Sequence, residues 1–287
     1  MLPIQIDHTL CKADGLCVHE CPLAVLMISE KGKAPVINPK KMNYCINCGH
    51  CAAICPTNAI TITAFEDQSS IPINHAGMPD FSSVENLMKS RRSIRKFKKT
   101  ALTAKQVEEL IHLAAYAPSG HNAHPVSWSV INSSDKMQEL TLIAVEWMEE
   151  MVRQKSPLAK KLFLSGLINA YKNGNDAISR NAPTIAAAWA PKQGITPQTD
   201  TVIATTYLEL AAHAQNIGTC WAGYIILAAS YSEKIRNFLG IPKDHMLYGA
   251  LLLGYPAVKY KNSPPRHKAE GKKTEFGTIF HARLNGH

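Results

Sequence analysis

Apolar residues in the larger, C-terminal part of the chain alternate between helical spacing and short runs of strand length. The clearest helical stretch begins with Thr103 and Gln106, which have the spacing of a capping box. Apolar side chains then recur at i, i+3 and i+4 positions, and the helix is expected to end at Pro118. Residues 125–131 alternate between apolar and polar, and residues 184–189 and 247–253 are apolar runs of strand length. This alternation predicts an α+β domain with a central mixed sheet flanked by helices.

Further helices are predicted between and after these strands. A helix over residues 201–217 should end at Gly218. Ser230 and Glu233 have the spacing of another capping pair, ahead of a later helix. Residues 140–171 are rich in Trp, Met, Phe and Tyr and are predicted to form a helical cover over a pocket, although a dimer interface would have the same apolar content.

The N-terminal part of the chain has a different pattern. Two short apolar segments, residues 25–28 and 59–62, each follow a stretch rich in cysteine. Polar and turn residues with little periodicity come next and predict a linker. Ser82 and Glu85 then have capping-box spacing and predict the helix that opens a second domain. The expected organisation is a small module over residues 1–62, a linker over 63–82 and a larger domain over 83–287.

Composition and charge narrow the class of protein. Hydrophobic residues make up 46% and charged residues 18% of the 287 positions, which argues against a disordered or fibrous chain. The formal net charge of +9 would suit a polyanion, but Lys and Arg are scattered, so nucleic acid is not an expected partner. No apolar run reaches the roughly 20 residues needed to cross a bilayer, and the first residues do not resemble a signal peptide. We therefore expect a cytoplasmic protein with no membrane partner.

The cysteines carry the first indication of chemistry, because seven of the eight lie in the N-terminal module. The second group has the spacing Cys-x2-Cys-x2-Cys-x3-Cys-Pro, formed by Cys45, Cys48, Cys51, Cys55 and Pro56. This run is typical of a [4Fe–4S] site, in which the fourth cysteine binds the other cluster of a two-cluster protein.

The first group of cysteines is an offset copy of the second. An offset of 34 residues superimposes the two groups, and Asp14 then takes the place of Cys48. The cysteines of the first group are Cys11, Cys17 and Cys21. A structural zinc site usually has two separated Cys-x2-Cys pairs, and a disulfide framework conflicts with a cytoplasmic protein. The repeat resembles the two-cluster bacterial ferredoxins across the whole module.

The resemblance implies that each cluster takes ligands from both groups. One cluster would be held by Cys21, Cys45, Cys48 and Cys51, and the other by Cys11, Asp14, Cys17 and Cys55. A carboxylate is a harder ligand than a thiolate for this iron. The cluster at Asp14 is therefore expected to be [4Fe–4S] or [3Fe–4S], whereas the other is expected to be [4Fe–4S]. The alternative for Asp14 is a solvated turn residue that binds no iron.

Two segments of the larger domain have residues suited to a phosphate-bearing cofactor. The first segment brings together three guanidinium groups and a hydroxyl, from Arg91, Arg92, Ser93 and Arg95. Guanidinium groups pair bidentately with phosphate oxygens, so this segment could bind a phosphate. A solvated basic helix end would have the same composition. Further along, residues 117–125 form a turn-rich loop between a predicted helix and a predicted strand.

In this order, and together with later motifs, these segments resemble the nitroreductase family of FMN enzymes over residues 83–287. The later motifs are residues 181–183, Asp200, and residues 218–223, 252–256 and 265–266. The resemblance implies an obligate homodimer with two FMN molecules at its interface, each contacted by both chains.

The resemblance also implies which residues contact FMN. Arg91, Arg92, Ser93 and Arg95 would bind its phosphate and its ribityl chain or ring edge, and Arg266 would join them at the phosphate. Pro118 and Ser119 would line the flavin, Asn122 would reach its ring or the substrate side, and backbone amides near Ala222 and Gly223 would face flavin N5 and O4. His124 departs from the glutamine that is common in the family.

Other residues are open to ordinary interpretations, and none is assigned as catalytic. Cys220 lies in an apolar stretch and is expected to be a buried thiol rather than a nucleophile. His121 could donate a proton near the flavin or could face solvent.

The two resemblances together imply an oxidoreductase, because FMN connects one-electron clusters to two-electron substrates. Electrons would pass from the clusters through FMN to a small organic acceptor such as a nitroaromatic compound, a quinone, a flavin or an activated alkene. An external ferredoxin or NAD(P)H could be the donor. One alternative is an NAD(P)H-dependent FMN reductase that uses the clusters as an outlet, and another is an electron carrier without a substrate of its own.

Overall fold

The structure is a computed structural model that describes residues 2–65, 71–266, 270–275 and 277–281. Its α-helices are α1 (Leu16–Glu20), α2 (His50–Ala53), α3 (Phe81–Ser90), α4 (Ala104–Ala114), α5 (Ser134–Arg153), α6 (Pro157–Lys161), α7 (Leu164–Lys172), α8 (Pro197–Ala214), α9 (Gly223–Tyr231) and α10 (Glu233–Phe238). Its strands are β1 (Ile4–Ile6), β2 (Leu26–Met27), β3 (Val36–Ile37), β4 (Ile60–Ile62), β5 (Ser127–Ile131), β6 (Thr184–Pro191), β7 (Gly218–Trp221), β8 (His245–Gly254), β9 (Glu270–Thr274) and β10 (Gly277–His281).

The N-terminal module shows the 34-residue sequence repeat in its backbone. Strand β1 pairs with β4, and β2 pairs with β3, so that two small antiparallel sheets enclose the module. Residues with positive φ recur at the same offset: Ala13 and Asn47, Gly15 and Gly49, Ala24 and Asn58. Because left-handed residues fix where a chain turns, the two halves adopt the same loop around their cysteines.

The larger domain is built on a four-stranded sheet in the order β5-β6-β8-β7. Strand β6 is fully buried over its run of small residues, which allows helices to pack closely on both faces. Helices α5, α7, α9 and α10 cover one face, and α4 and α8 cover the other. The α+β prediction is confirmed. The strands of this sheet pair antiparallel, and one isolated parallel bridge between Ser93 and Thr219 makes the arrangement mixed.

Helix starts agree with the sequence analysis where the cap was unambiguous. Thr103 and Gln106 form the predicted capping box. The cap of α3 is Asp80, which accepts from the amide of Ser83, and not the predicted Ser82. The cap of α10 is Ser232, and the predicted Ser230 lies within α9.

Helix ends differ from the prediction by a few residues. Helix α4 ends at Ala114 instead of Pro118, because the next three residues form i to i−3 hydrogen bonds that tighten the last turn. Helix α8 covers Pro197–Ala214 rather than 201–217, and Gly218 is the first residue of β7 rather than a helix stop. Residues 140–171 are largely helical, as predicted, and pack on the core beneath α9. Within the part of the chain that the structure describes, no helix is long and apolar enough to span a membrane.

Candidate functional site

One cavity in the N-terminal module brings together four of the predicted iron ligands. Cys21, Cys45, Cys48 and Cys51 line it together with apolar side chains such as Ile4. Helix α2 carries Cys51 at its start, while Cys21 comes from the end of α1 in the other half of the repeat. Cysteines from both groups therefore converge on one space, as crossed ligation requires.

The remaining ligand candidates form a second group. Burial, followed by the charges of Asp14 and Cys11, raises the pKa of the Cys17 thiol, which also interacts with Cys55. At the cavity described above, burial and the neighbouring Cys48 raise the pKa of the Cys51 thiol to about 12. Several thiols that oppose one another's ionisation are a donor set that a cationic iron–sulfur core can stabilise.

Backbone amides already point at the sulfur atoms. The amides of Val25 and Ala59 donate to Cys21 Sγ and Cys55 Sγ, both at 3.3 Å, and these two bonds are related by the repeat. Such donors stabilise thiolate charge and tune cluster potential. The residues present fit two iron–sulfur clusters.

Asp14 occupies the turn position that corresponds to Cys48. Its Oδ1 accepts a hydrogen bond from the amide of Leu16 at 3.1 Å, and the residue is exposed. One carboxylate oxygen therefore orders the turn, while Asp14 interacts electrostatically with Cys17 and Cys55. Both interpretations of Asp14 agree with this position.

In the larger domain, the buried carboxylate of Glu209 anchors the arginine-rich segment. Glu209 lies on α8, and its Oε1 pairs with Arg91 Nη1 at 3.1 Å. The same carboxylate accepts from Thr219 Oγ1 at 3.2 Å and from Trp221 Nε1 at 3.3 Å. The guanidinium of Arg91 is thus held by the protein itself. The signal in the sequence that could have revealed Glu209 was a carboxylate flanked by Leu208 and Leu210 in the apolar second half of α8.

The segment after Arg91 lies along strand β7. The amide of Ile94 donates to the carbonyl of Thr219 at 2.7 Å, next to the bridge at Ser93. Among the described residues, Arg92 and Arg95 make no ion pair, so their charges are available to an anionic ligand. Arg266 is exposed and donates to the carbonyl of Pro265 at 3.2 Å. No described hydrogen bond links Arg266 to the arginine-rich segment.

A cavity beside β7 adds Arg180 and Tyr224, which the sequence analysis missed, to residues that it named. Its lining includes Arg180, Cys220, Trp221, Gly223 and Tyr224. Burial raises the pKa of the Cys220 thiol, and the nearby positive charges of Arg95 and Arg180 only partly oppose this. Cys220 is buried, as predicted. Arg180 carried no signal in the sequence, since its position depends on a left-handed backbone turn at φ 59°.

The backbone amides at the start of α9 differ in availability. The amide of Ala222 donates to the carbonyl of Ala250 at 2.9 Å, so it is already engaged. Gly223 is the first residue of the helix, where the amide has no intrahelical acceptor. Of the two predicted amides, that of Gly223 is the one a ligand could use.

The predicted flavin loop contacts both the large domain and the N-terminal module. Pro118 is exposed, and Ser119 Oγ accepts from the amide of His124 at 3.0 Å. Asn122 was expected at the flavin ring or substrate side, but its Nδ2 donates to the carbonyls of Ile46 and Asn47 at 3.1 and 3.2 Å. His121 is exposed.

Comparisons with known proteins agree with this architecture. Residues 88–255 match the model of the nitroreductase family, and residues 9–60 match the model of the 4Fe-4S dicluster domain. An Archaeoglobus fulgidus protein with the provisional name NADH dehydrogenase/NAD(P)H nitroreductase is 26% identical over 171 residues, which are 58% of this chain and 82% of that protein. An uncharacterized ferredoxin of Methanocaldococcus jannaschii is 36% identical over 63 residues, which are 21% of this chain and 95% of that protein.

A solved structure shows the same fold. The nitroreductase of Desulfitobacterium hafniense DCB-2, solved with bound FMN, superimposes with a TM-score of 0.53 at 21% identity, over 66% of this chain and 95% of that one. The predicted fold and both predicted resemblances are confirmed. The chain belongs to the nitroreductase family and carries an N-terminal ferredoxin domain of the 4Fe–4S dicluster type.

Proposed function

We propose that the protein is an FMN-dependent oxidoreductase that takes electrons from its own iron–sulfur clusters and delivers them to a small organic acceptor. The observation that carries the proposal is the contact of Asn122 with the cysteine-bearing loop at Ile46 and Asn47. A carrier module that served only external partners would not need to be held against the loop that the family resemblance places at the flavin.

The arginine-rich segment supplies the charge that an FMN site needs. Arg92 and Arg95 are the candidates for the phosphate, while Arg91 positions the segment through Glu209. Gly223 and Arg180 line the same cavity, so the amide of the first and the guanidinium of the second are the candidates for stabilising negative charge on the ring. FMN, when bound, supplies the conversion between one-electron and two-electron transfer.

The cavity also bears on the acceptor. Its lining is largely apolar, with Leu162, Leu227 and Leu252 beside Arg180. Such a surface suits a small planar molecule with an electron-poor or anionic group. Nitroaromatic compounds, quinones, flavins and activated alkenes share this chemistry.

An NAD(P)H-dependent reaction is the second candidate. The observation that favours it is the name of the Archaeoglobus fulgidus relative, which includes NAD(P)H. In that case NAD(P)H would donate to FMN directly, and the clusters would be an outlet.

Anaerobic stopped-flow spectroscopy separates the two candidates. Flavin absorbance is followed after mixing with reduced ferredoxin or with NAD(P)H. Fast reduction by ferredoxin alone, lost in Cys48→Ala, would support entry through the clusters. Reduction by NAD(P)H that is unaffected in Cys48→Ala would contradict it.

The composition of the Asp14 cluster can be tested separately. We propose that Asp14 binds iron in the anaerobic protein, because it lies in the place of Cys48 beside Cys17 and Cys55. Electron paramagnetic resonance of iron-replete, anaerobic protein should then show no [3Fe–4S] signal. Such a signal would contradict iron binding by Asp14.

We also propose the domain division at residues 62 and 83 and a homodimeric state. Exposed apolar side chains on and near α3 and α4, namely Phe81, Met88, Leu113 and Tyr116, support an interface with a second copy. Analytical ultracentrifugation should give twice the mass of one chain, and a monomer at micromolar concentration would contradict the dimer.

A further inference from the structure

The two halves of the N-terminal module make different contacts with the larger domain. In the second half, the carbonyls of Ile46 and Asn47 accept hydrogen bonds from Asn122. These carbonyls lie between Cys45 and Cys48 in the sequence, directly beside two candidate ligands of one cluster.

The repeat supplies an internal comparison. Lys12 and Ala13 are the equivalents of Ile46 and Asn47 at the 34-residue offset. Lys12 is exposed, and no described hydrogen bond joins the carbonyl of Lys12 or Ala13 to the larger domain. Among the described contacts, the second half is therefore docked through its loop carbonyls, and the first half is not.

The orientation of the Asn122 amide is set by its surroundings. Carbonyl oxygens only accept hydrogen bonds, so the two carbonyls require the NH2 group of Asn122 to face the module. Its Oδ1 then faces His124 Nε2 at 2.8 Å, and this nitrogen must donate. His124, where the family commonly has glutamine, thus fixes the amide in its docking orientation.

The loop that carries Asn122 is itself held from behind. The amide of Gly120 donates to Asp200 Oδ1 at 3.0 Å, and Thr196 Oγ1 donates to the same oxygen at 3.0 Å. The loop approaches Thr196 so closely that a Cβ on Gly120 would lie 2.2 Å from its Oγ1. Helix α8 therefore supports the loop on one side, and the module rests on the other.

We propose that residues 119–124 are a docking element that makes the cluster at Cys21, Cys45, Cys48 and Cys51 the last electron donor before the flavin. The inference rests on the proposed function. In the transfer step, one electron leaves this cluster, which is oxidised, and reduces the flavin. Asn122 is a positioning residue in this step, because it acts by holding the cluster loop in place.

The test replaces the docking amide in the protein loaded with both cofactors. Asn122→Asp keeps the shape and tolerates a left-handed backbone, but it puts a carboxylate against two carbonyls. Asn216→Asp is the matched control, since Asn216 is also left-handed and is exposed without a described side-chain hydrogen bond. His124→Ala is the second variant, which frees the amide without removing it.

Hydrogen–deuterium exchange of residues 44–51 reports docking without reference to activity. We expect about tenfold faster exchange in Asn122→Asp, as for the loss of two hydrogen bonds between neutral groups. A smaller increase is expected in His124→Ala and none in Asn216→Asp. Unchanged exchange in Asn122→Asp would overturn the docking role.

Single-turnover electron transfer tests the identity of the donor. The clusters are reduced by a radical pulse, and the appearance of reduced flavin is timed in proteins with matched flavin content. We expect about tenfold slower transfer in Asn122→Asp with unchanged cluster potentials. An unchanged rate, together with faster exchange, would overturn the donor assignment. If the wild-type clusters never reduce the flavin, the proposed function and the donor assignment both fail, while the exchange result still decides the docking contact.

Discussion

At the scale of single residues, Glu209 contributes most to the candidate flavin site, although it binds no predicted ligand. It joins three segments through Arg91, Thr219 and Trp221. These three donors offset the cost of burying the carboxylate charge, which would otherwise be unfavourable in the core. Removing the carboxylate would leave the Arg91 guanidinium without its partner, and loss of one partner of a buried ion pair is strongly destabilising.

Glu209→Gln should therefore lower the free energy of unfolding by about 3 kcal/mol and weaken FMN binding. Urea unfolding and fluorescence titration of FMN measure the two effects. Glu109→Gln is the matched control, because the Lys105–Glu109 pair is exposed at the surface and should contribute less than about 1 kcal/mol. Equal effects of the two variants would contradict the role of Glu209.

The second residue-scale prediction concerns pH. Burial, followed by the nearby Arg91, lowers the pKa of His213 below its usual value of 6.5. His213 Nε2 lies 2.8 Å from Ser90 Oγ at the end of α3. The pKa of His213 is thus lower in the folded protein than in the unfolded chain. Its contribution to the free energy of folding is therefore fully present above pH 6.5 and is lost as the pH falls through the folded-state pKa.

The melting temperature of the wild type should fall between pH 7.5 and pH 5.5. His213→Gln should reduce this fall, since glutamine does not titrate in that range. An identical fall in both proteins would show that His213 does not contribute to the pH dependence.

At the scale of elements, glycines show where close packing decides the structure. A Cβ on Gly218 at the start of β7 would lie 2.8 Å from Ile94 Cγ1, whereas a Cβ on Gly166 in α7 would meet nothing within 4 Å. The first glycine is therefore required by the segment that carries Arg92 and Arg95. The second only lowers helix propensity.

Gly218→Ala should destabilise the protein by about 1–3 kcal/mol through overpacking. It should also weaken FMN binding, because Ile94 cannot move without moving its neighbours. Gly166→Ala should instead stabilise by about 0.5–1 kcal/mol. Chemical denaturation of the two variants provides the comparison, and equal effects would contradict the packing argument.

The sequence predicted elements better than their ends. Apolar runs identified β6 and β8, which are buried along most of their length, and alternation identified β5, whose residues are mostly half-buried. The cap of α3 was misplaced because Asp80 and Ser82 are both good caps, and only the path of the chain selects between them. Contacts such as Arg91–Glu209 were not predictable, since they join residues 118 positions apart.

At the scale of the whole molecule, the two domains differ in what stabilises them. The N-terminal module has a small buried core that includes two cysteines, Cys17 and Cys51. The larger domain has extensive apolar cores on both faces of its sheet. Because so little apolar surface is buried in the module, we expect bound iron–sulfur clusters to contribute a large part of its stability.

Removal of iron by a chelator should therefore unfold the module and leave the larger domain folded. Calorimetry should show loss of one transition, while the transition of the larger domain remains. A single transition that shifts as a whole on chelation would contradict separate stabilisation.

The contact at Asn122 also has a consequence for evolutionary history. A duplication creates two halves that are initially interchangeable and free to vary alike. Docking of one half removes that freedom, since substitutions around residues 46 and 47 must preserve the fit to the neighbouring domain. Substitutions around residues 12 and 13 must still preserve their own turn beside Cys11 and Asp14, but no described hydrogen bond to the larger domain restricts them. Among relatives that share both domains, the second loop should accordingly diverge more slowly than the first.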